Sequence, residues 1–385
     1  MTPTGTSTAT GWPRKFSLSN WLLGSRRGAQ QIQLQCGPSQ GTPLLSKAGG
    51  PVWLAGPGEG YDCSMTDFVR SDDRHFDELS DWSFAPRYHA WKDLRVHYVD
   101  EGPADGPVML LLHGMPTWAY LYRDIIPPLV DAGYRCIAPD HLGFGRSDKP
   151  TDFHWYSIAR HTEVLTSLIT ALDLSNITLV CQDWGGPTGL AQVAMMPERF
   201  SRLIVMNTWL HHPEYVYTDG IKNWIAMWHE GGVFNRECPN AALVPLLSGR
   251  LAAPSEILGA VTSGTEPTLE AKAATNYAGW AAPFRELPDS AFNGARRFPL
   301  SIPLNDYDSG NGAAQTAHYR ALLRGDHPVH FVWGGADDVF DEAWGRKWST
   351  QMRATFDLIP EAGHFLQNTH GTEVADFILR RVAEE

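Results

Sequence analysis

From Leu94 onward, short stretches rich in leucine and β-branched residues alternate with longer stretches of helical spacing. The strand-like stretches are residues 108–112, 136–138, 177–181, 203–206, 329–333 and 354–359. Strands that alternate with helices pair in parallel, because each helix carries the chain back to the end where the previous strand began. The pattern predicts an α/β fold with a mostly parallel central sheet flanked by helices. Residues 94–99 and the segment before them are expected to add antiparallel edge strands.

The alternation stops between Trp209 and Asn311, where proline, tryptophan and helical spacing replace the strand-like stretches. An insertion of this kind, between two strands of one sheet, predicts a helical layer beside the sheet. We therefore expect a core formed by residues 65–208 and 312–385, with a helical cap formed by residues 209–311.

Residues 1–64 differ from the remainder in charge and composition. They carry a net charge of +3 against −15 for the rest of the chain, and they contain 11 Gly, 6 Pro and no His. Such a segment buries too little apolar surface to offset its chain entropy. We predict that it is a disordered extension that folding and turnover do not need.

Composition excludes several classes of protein. The net charge of −12 opposes binding to the phosphate backbone of a nucleic acid. No apolar run approaches the roughly 18 residues that span a bilayer, so no stable membrane anchor is expected. The five cysteines are odd in number and lack C-x-x-C spacing, which indicates neither a disulfide framework nor a zinc ribbon. A reducing, cytoplasmic setting is expected; the sequence leaves the oligomeric state open.

A polar turn follows the strand-like stretch 177–181, where residues 181–186 read C-Q-D-W-G-G. This strand–turn–helix pattern resembles the nucleophile elbow G-x-S-x-G, in which small residues flank a nucleophile on a sharp turn. Asp183 stands where serine usually stands. Taken alone, an aspartate before two glycines is also typical of a helix N-cap, so its interpretation depends on the rest of the chain.

Two later strands end in turns that supply an acid and a histidine. Residues 333–338 read W-G-G-A-D-D and residues 361–365 read E-A-G-H-F. Asp183, Asp337 and His364 thus follow the order nucleophile, acid, histidine, and each lies beyond the carboxyl end of a strand, where open α/β sheets bind ligands. Asp338 is the alternative acid, and spacing from the Gly334 turn favours Asp337.

The stretch 112–118, L-H-G-M-P-T-W, ends another strand. Its position predicts that the backbone N–H groups of Met115 and Trp184 form an oxyanion hole. No cofactor and no metal are expected, because the adjacent side chains of His211 and His212 diverge and no H-E-x-x-H spacing occurs.

With these motifs assembled, the chain from about Phe68 to its end resembles the haloalkane dehalogenases of the α/β-hydrolase superfamily. The resemblance rests on residues 182–186 and 113–118, supported by R-S-D-D-R-H-F at 70–76, D-G-I-K-N-W at 219–224 and A-G-H-F at 362–365. It implies an α/β-hydrolase fold and the hydrolysis of a small halogenated aliphatic substrate to a primary alcohol, halide and a proton.

The residue types suit that reaction. A carboxylate can displace halide from saturated carbon and form an alkyl ester on Asp183, and His364, held by Asp337, can activate water against the ester. Halide leaves as a stable anion, so it needs a hydrogen-bond donor in place of a proton. The resemblance implies that Trp184 and a cap tryptophan, Trp224, bind it, with Trp228 as the reserve candidate.

Two departures from the wider family point to the subfamily with an Asp-His-Asp triad and two halide-binding tryptophans. Met115 stands where other subfamilies place an asparagine halide donor, and a thioether cannot donate. Asn207 stands where some relatives carry the triad acid, and an amide cannot replace a carboxylate. Both departures favour the assignment of Asp337 and Trp224.

Other functions remain open at this point. An epoxide hydrolase shares the aspartate nucleophile but uses cap tyrosines as proton donors, for which Tyr215, Tyr217 and Tyr277 are candidates. A fluoroacetate dehalogenase is disfavoured, because it would need arginines beside the nucleophile where Trp184 stands. A ligand-binding relative without turnover is the third alternative.

Overall fold

The computed structural model describes residues 65–230, 243–244, 247–248, 268–270 and 276–384. Within them the strands, numbered β1 to β10, are Phe68–Val69, Arg87–Trp91, Leu94–Glu101, Val108–Leu112, Arg135–Pro139, Lys149–Pro150, Ile177–Gln182, Phe200–Met206, Val329–Gly334 and Thr355–Ile359. The helices, numbered α1 to α10, are Arg74–Asp77, Ile126–Asp131, Ile158–Ala171, Gly185–Met195, Asp219–Glu230, Tyr277–Ala281, Asn293–Leu300, Gly312–Leu322, Glu342–Gln351 and Leu366–Ala383.

Eight strands form one sheet in the order β10-β9-β8-β7-β4-β5-β3-β2. The six strands from β10 to β5 are parallel, and β3 and β2 extend the sheet with antiparallel pairing. The predicted α/β-hydrolase fold with a mostly parallel sheet is confirmed, as are the two antiparallel edge strands.

The central strands are buried along their whole length. Every residue of β4, β7 and β9 is buried, and because successive side chains point to opposite faces, both faces of the sheet must be covered. The covering helices pack in two groups, α3 and α8 against α4, and α10 against α2. The loops at the carboxyl ends of β4, β7, β8 and β9 are thereby held on a rigid base.

The described part of residues 209–311 contains helices and turns, including α5, α6 and α7, and no strand. This agrees with the loss of strand rhythm in the sequence, and the division into core and cap stays a prediction. The predicted disorder of residues 1–64 lies outside the described residues. Among the helices that are described, none has the length and apolar character needed to cross a membrane.

Candidate active site

The turn after β7 holds Asp183 in an unusual backbone conformation. β7 ends at Gln182, α4 begins at Gly185, and Asp183 between them has φ +49°. A residue with a side chain rarely adopts this left-handed conformation, which costs about 1–3 kcal/mol and persists where the surrounding structure enforces it. Here the Asp183 N–H donates to the Asn207 carbonyl, and its own carbonyl accepts from Thr208 Oγ1. The strained turn is the geometry of a nucleophile elbow.

The structure brings Asp183, His364 and Asp337 together from three loops. His364 Nδ1 lies 2.8 Å from Asp337 Oδ2, and His364 Nε2 lies 3.5 Å from Asp183 Oδ2. All three residues are buried, and Asp183 retains 7% exposure. One ring nitrogen of His364 thus faces Asp337 and the other faces Asp183, an arrangement that is compatible with the predicted triad.

Asp337 is fixed by hydrogen bonds on both of its oxygens. Oδ1 accepts the Val339 N–H at 2.7 Å, and Oδ2 accepts both His364 Nδ1 and Asn207 Nδ2, the latter at 2.8 Å. Asp338, the alternative acid, is exposed. The arrangement leaves the Asp337 carboxylate little freedom to turn away from the imidazole.

One of the two predicted oxyanion-hole donors contacts the Asp183 carboxylate. The Met115 N–H donates to Asp183 Oδ1 at 2.7 Å. No hydrogen bond in the described structure joins the Trp184 N–H to that carboxylate, so its part in the oxyanion hole stays a prediction. The backbone at residue 114 lies so close to the Asp183 carboxylate that only glycine fits there, since a Cβ atom would lie 2.1 Å from Asp183 Oδ1.

Asp183 and His364 line a pocket of about 400 Å³ of empty space. Its other lining residues are apolar or aromatic: Met115, Trp184, Trp209, Ile221, Trp224, Leu247, Ile302, Val339, Phe340 and Phe365. Such a lining suits an apolar ligand and strengthens any hydrogen bond made to a charge inside it.

Both tryptophans predicted to bind halide line this pocket. Trp184 follows the nucleophile directly, and Trp224 reaches the pocket from α5. Trp228, the reserve candidate, packs on Trp224 with ring centroids 5.6 Å apart but is not among the described lining residues.

Charge dominates the environment of His364. Burial alone would lower the pKa of this imidazole, but the charges of Asp337 and Asp183 and the hydrogen bonds to them outweigh burial and raise the pKa to about 10. With both carboxylates ionised, His364 therefore carries its proton at neutral pH.

The tyrosines that an epoxide hydrolase would need lie elsewhere. Tyr215 packs edge-on against Trp344 at 4.3 Å, Tyr217 Oη lies 2.8 Å from His211 Nδ1, and neither tyrosine nor Tyr277 is among the described residues that line the pocket. The described residues contain no group of three or more His, Cys, Asp or Glu side chains placed to hold a metal ion.

Sequence reasoning missed three residues of the site. Asn207 was discussed only as a residue that cannot be the triad acid, yet its side chain donates a hydrogen bond to Asp337. Gln182 belongs to the motif at residues 181–186 but received no role there, and its side-chain nitrogen lies 3.1 Å from His364 Nε2. Trp209 was treated as the start of the cap, yet it lines the pocket and packs edge-on against Trp184 at 4.6 Å. Two sequence features could have indicated these contacts: Gln182 is a polar residue directly before Asp183, and Asn207 is a polar residue at the end of the adjacent strand β8.

The fold and the elbow define the class of protein as an α/β-hydrolase, and a family profile described as alpha/beta hydrolase fold matches residues 107–232. The haloalkane dehalogenase of Psychrobacter cryohalolentis is 36% identical over 321 residues, which cover 81% of this chain and 97% of that relative. Haloalkane dehalogenase 1 of Mycobacterium bovis is 38% identical over 321 residues, covering 81% and 98%.

Solved structures give the same result. The haloalkane dehalogenase DpaA from Paraglaciecola agarilytica NO2, described as tetrameric, aligns with a TM-score of 0.70 and 33% identity over 82% of this chain and 98% of that chain. The chain belongs to the haloalkane dehalogenase family.

Proposed function

We propose that this protein hydrolyses a small haloalkane to a primary alcohol, halide and a proton, through an alkyl ester on Asp183. The observation that carries the proposal is a buried carboxylate that lines an apolar pocket with His364 Nε2 3.5 Å away. A carboxylate so placed can attack a carbon atom in the pocket, and the imidazole can reach the ester that results.

In the first step an oxygen of Asp183 attacks the carbon that bears the halogen. A carbon–oxygen bond forms, the carbon–halogen bond breaks, and the halide leaves with its electron pair. The indole N–H groups of Trp184 and Trp224 would stabilise the developing negative charge in this apolar pocket. Two such donors would stabilise the leaving halide without transfer of a proton.

In the second step water attacks the carboxyl carbon of Asp183. His364 Nε2 accepts the proton of the water, and the Met115 N–H stabilises the oxyanion that forms on Asp183, joined by the Trp184 N–H. The intermediate then collapses: its bond to the alkyl oxygen breaks, and this oxygen takes the proton held on His364 Nε2 and leaves as the alcohol. The Asp183 carboxyl group loses its remaining proton to solvent, which restores the carboxylate and accounts for the proton released. Asp337 holds the imidazole through Nδ1 during this step.

Esterification itself prepares the base. Asp183 is one of the two carboxylates that raise the pKa of His364, and its charge disappears when it becomes an ester. The pKa of His364 then falls, which releases the proton and leaves Nε2 able to accept one from water. The histidine is thus protonated while the carboxylate attacks and neutral when water must be activated.

The test is to trap the ester with His364→Phe. With 1-bromobutane this variant should release at most one bromide per active site, and the peptide that contains Asp183 should gain the mass of one butyl group. Asp183→Asn is the control and should release no bromide and gain no mass.

The same assay distinguishes the alternatives. Wild-type protein that forms a diol from styrene oxide but releases no bromide from 1-bromobutane or 1,2-dibromoethane would be an epoxide hydrolase. A protein that binds these compounds and never forms the Asp183 adduct would be a binding relative, and the proposal would be wrong.

A further inference from the structure

Gln182, the last residue of β7, contacts the histidine as well as preceding the nucleophile. Its side chain is fully buried, and its Nε2 lies 3.1 Å from the backbone oxygen of His364 and 3.1 Å from His364 Nε2. The same amide nitrogen therefore contacts both the backbone oxygen and the ring nitrogen Nε2 of His364.

The orientation of this amide follows from its partners. A carbonyl oxygen only accepts hydrogen bonds, so the NH₂ end of Gln182 must face the His364 carbonyl. Gln182 Oε1 is buried and has no hydrogen-bond partner in the described structure. No described donor therefore favours the opposite orientation of the amide. With this orientation, the NH₂ group also lies beside His364 Nε2, 3.1 Å away.

An N–H group beside Nε2 has a direct consequence for the proton of the imidazole. A proton on Nε2 would meet the amide hydrogens, whereas the lone pair of an unprotonated Nε2 can accept one of them. The other ring nitrogen, Nδ1, donates to Asp337. The arrangement favours the neutral tautomer with its proton on Nδ1.

We infer that Gln182 is a positioning residue that keeps His364 Nε2 unprotonated once Asp183 is esterified, so that this nitrogen can accept the proton of the attacking water. The inference rests on the proposed function. When water replaces the amide as donor to Nε2, Gln182 keeps its bond to the backbone carbonyl, so only one of its two bonds is exchanged.

The charged groups around His364 act in the opposite direction in the free protein. Among the described residues, Asp183 and Asp337 are the two carboxylates that face the imidazole, and the aromatic rings against it are those of Phe340 and Phe365, which carry no charge. Esterification removes the charge of Asp183, while the N–H group of Gln182 remains. The amide is therefore most influential in the ester, the stage at which a base is needed.

The experiment measures how fast the Asp183 ester disappears at different pH values. Enzyme is mixed with less than one equivalent of 1-bromobutane, quenched at intervals, and the alkylated Asp183 peptide is quantified by mass spectrometry. The ester should decay faster as pH rises until His364 is fully neutral, so the midpoint of this profile reports the pKa of His364 in the ester.

Two substitutions change the contact in graded steps. Gln182→Met keeps the length of the side chain but removes the donor, and it should move the midpoint upward by about half a pH unit or more, as expected for the loss of one hydrogen bond. Gln182→Glu presents a carboxylate to Nε2, should move the midpoint upward by at least about one pH unit, and should make the ester accumulate at neutral pH.

Phe365→Leu is the matched control. The Phe365 ring lies against His364 with centroids 4.6 Å apart, so its truncation loosens the imidazole without changing its hydrogen bonds. It should slow ester decay at every pH and leave the midpoint in place.

The outcomes distinguish failure of the Gln182 inference from failure of the proposed function on which it rests. If the ester forms normally and both Gln182 variants keep the wild-type midpoint, Gln182 is only structural and the inference is wrong. If no ester forms even in wild-type protein and in His364→Phe, the proposed function itself is wrong. A variant that forms the ester has a folded site. If Gln182→Glu forms no ester, the midpoint of Gln182→Met alone decides whether the inference holds.

Discussion

Asn207 Nδ2 donates a hydrogen bond to Asp337 Oδ2, the same oxygen that lies 2.8 Å from His364 Nδ1. Asn207 also bridges two neighbouring strands, because its Oδ1 accepts the Gly334 N–H at 2.7 Å and its Nδ2 lies 3.2 Å from the Gly334 oxygen. The residue that follows β8 thus fixes the acid that follows β9. An amide cannot be the acid, but it can orient one.

Replacing Asn207 with leucine should therefore impair both stability and turnover. The change leaves the buried Gly334 N–H unpaired and removes a bond to a charged oxygen, which together cost about 2–4 kcal/mol of unfolding free energy. We also expect slower ester hydrolysis, because Asp337 is freer to turn. Urea unfolding and bromide release measure the two effects. Asn305→Leu is the control: it removes two hydrogen bonds of an exposed asparagine, to His229 and to the Leu300 oxygen, so it should cost less unfolding free energy and leave bromide release unchanged. Equal loss of bromide release at both positions would contradict the assignment.

The sequence was a good guide to the strands and to where the loops of the site begin. The predicted stretches 108–112 and 177–181 correspond to β4 and β7 within one residue, because continuous apolar runs bounded by turns have few other solutions in an α/β chain. Asp183, Asp337 and His364 lie together in the structure because the carboxyl ends of parallel strands meet at one edge of the sheet, while their catalytic roles stay a prediction.

The contacts of Asn207 and Gln182 were not predictable in the same way. Asn207 contacts Asp337 and Gln182 contacts His364, and the partners of each pair lie more than a hundred residues apart in sequence. No rule based on sequence spacing predicts such a contact. The choice of Trp224 over Trp228 was equally unresolved, because both lie on one face of α5 and only the packing of the folded chain separates them.

The pKa of His364 should depend on Asp183. Burial lowers this pKa, but the charges of Asp337 and Asp183 raise it to about 10, so we expect the imidazole of the free enzyme to titrate well above the usual value near 6.5. Asp183→Asn removes one of the charges and should lower the pKa by about 1–3 units. Histidine NMR titration, with His364→Gln to assign the signal, measures the shift.

The same pKa fixes the sign of a stability effect. Because the pKa is higher in the folded than in the unfolded protein, the contribution of His364 to stability is complete below about pH 6.5 and is lost as pH rises towards 10. An imidazole signal that titrates near 6.5 in wild type and in Asp183→Asn alike would show that the carboxylates do not control it.

Gly114 is the position where an added methyl group should do most harm to the nucleophile. A Cβ there would lie 2.1 Å from Asp183 Oδ1, so Gly114→Ala must displace the carboxylate or the loop that carries the Met115 N–H. We expect bromide release to fall at least about 100-fold, because about 1 Å of misplacement at a reacting group has that effect. Stability should fall by about 1–3 kcal/mol.

The control for Gly114→Ala is Gly325→Ala. At Gly325 the nearest atom to an added Cβ would be 3.4 Å away, an ordinary contact, so activity and the thermal unfolding midpoint should stay close to wild type. A Gly114→Ala variant with wild-type bromide release would mean that the Asp183 carboxylate can be displaced without loss, contrary to the proposed mechanism.

Trp224 should bind the halide and Trp228 should not. Trp224 lines the pocket, and Trp224→Phe keeps the aromatic packing but removes the indole N–H. A hydrogen bond to a charged group is worth about 1.5–3 kcal/mol, or roughly a 10- to 150-fold loss of bromide affinity. Ester formation should slow by a similar factor, since the same bond stabilises the departing halide. Trp228→Phe should alter both the bromide affinity and the rate of ester formation by less than about threefold.

Inhibition of turnover by added bromide gives the affinity, and the quenched-ester assay gives the rate. The reverse ranking of the two variants would assign the donor to Trp228, and equal, small effects in both would leave Trp184 as the only indole donor among the proposed pair.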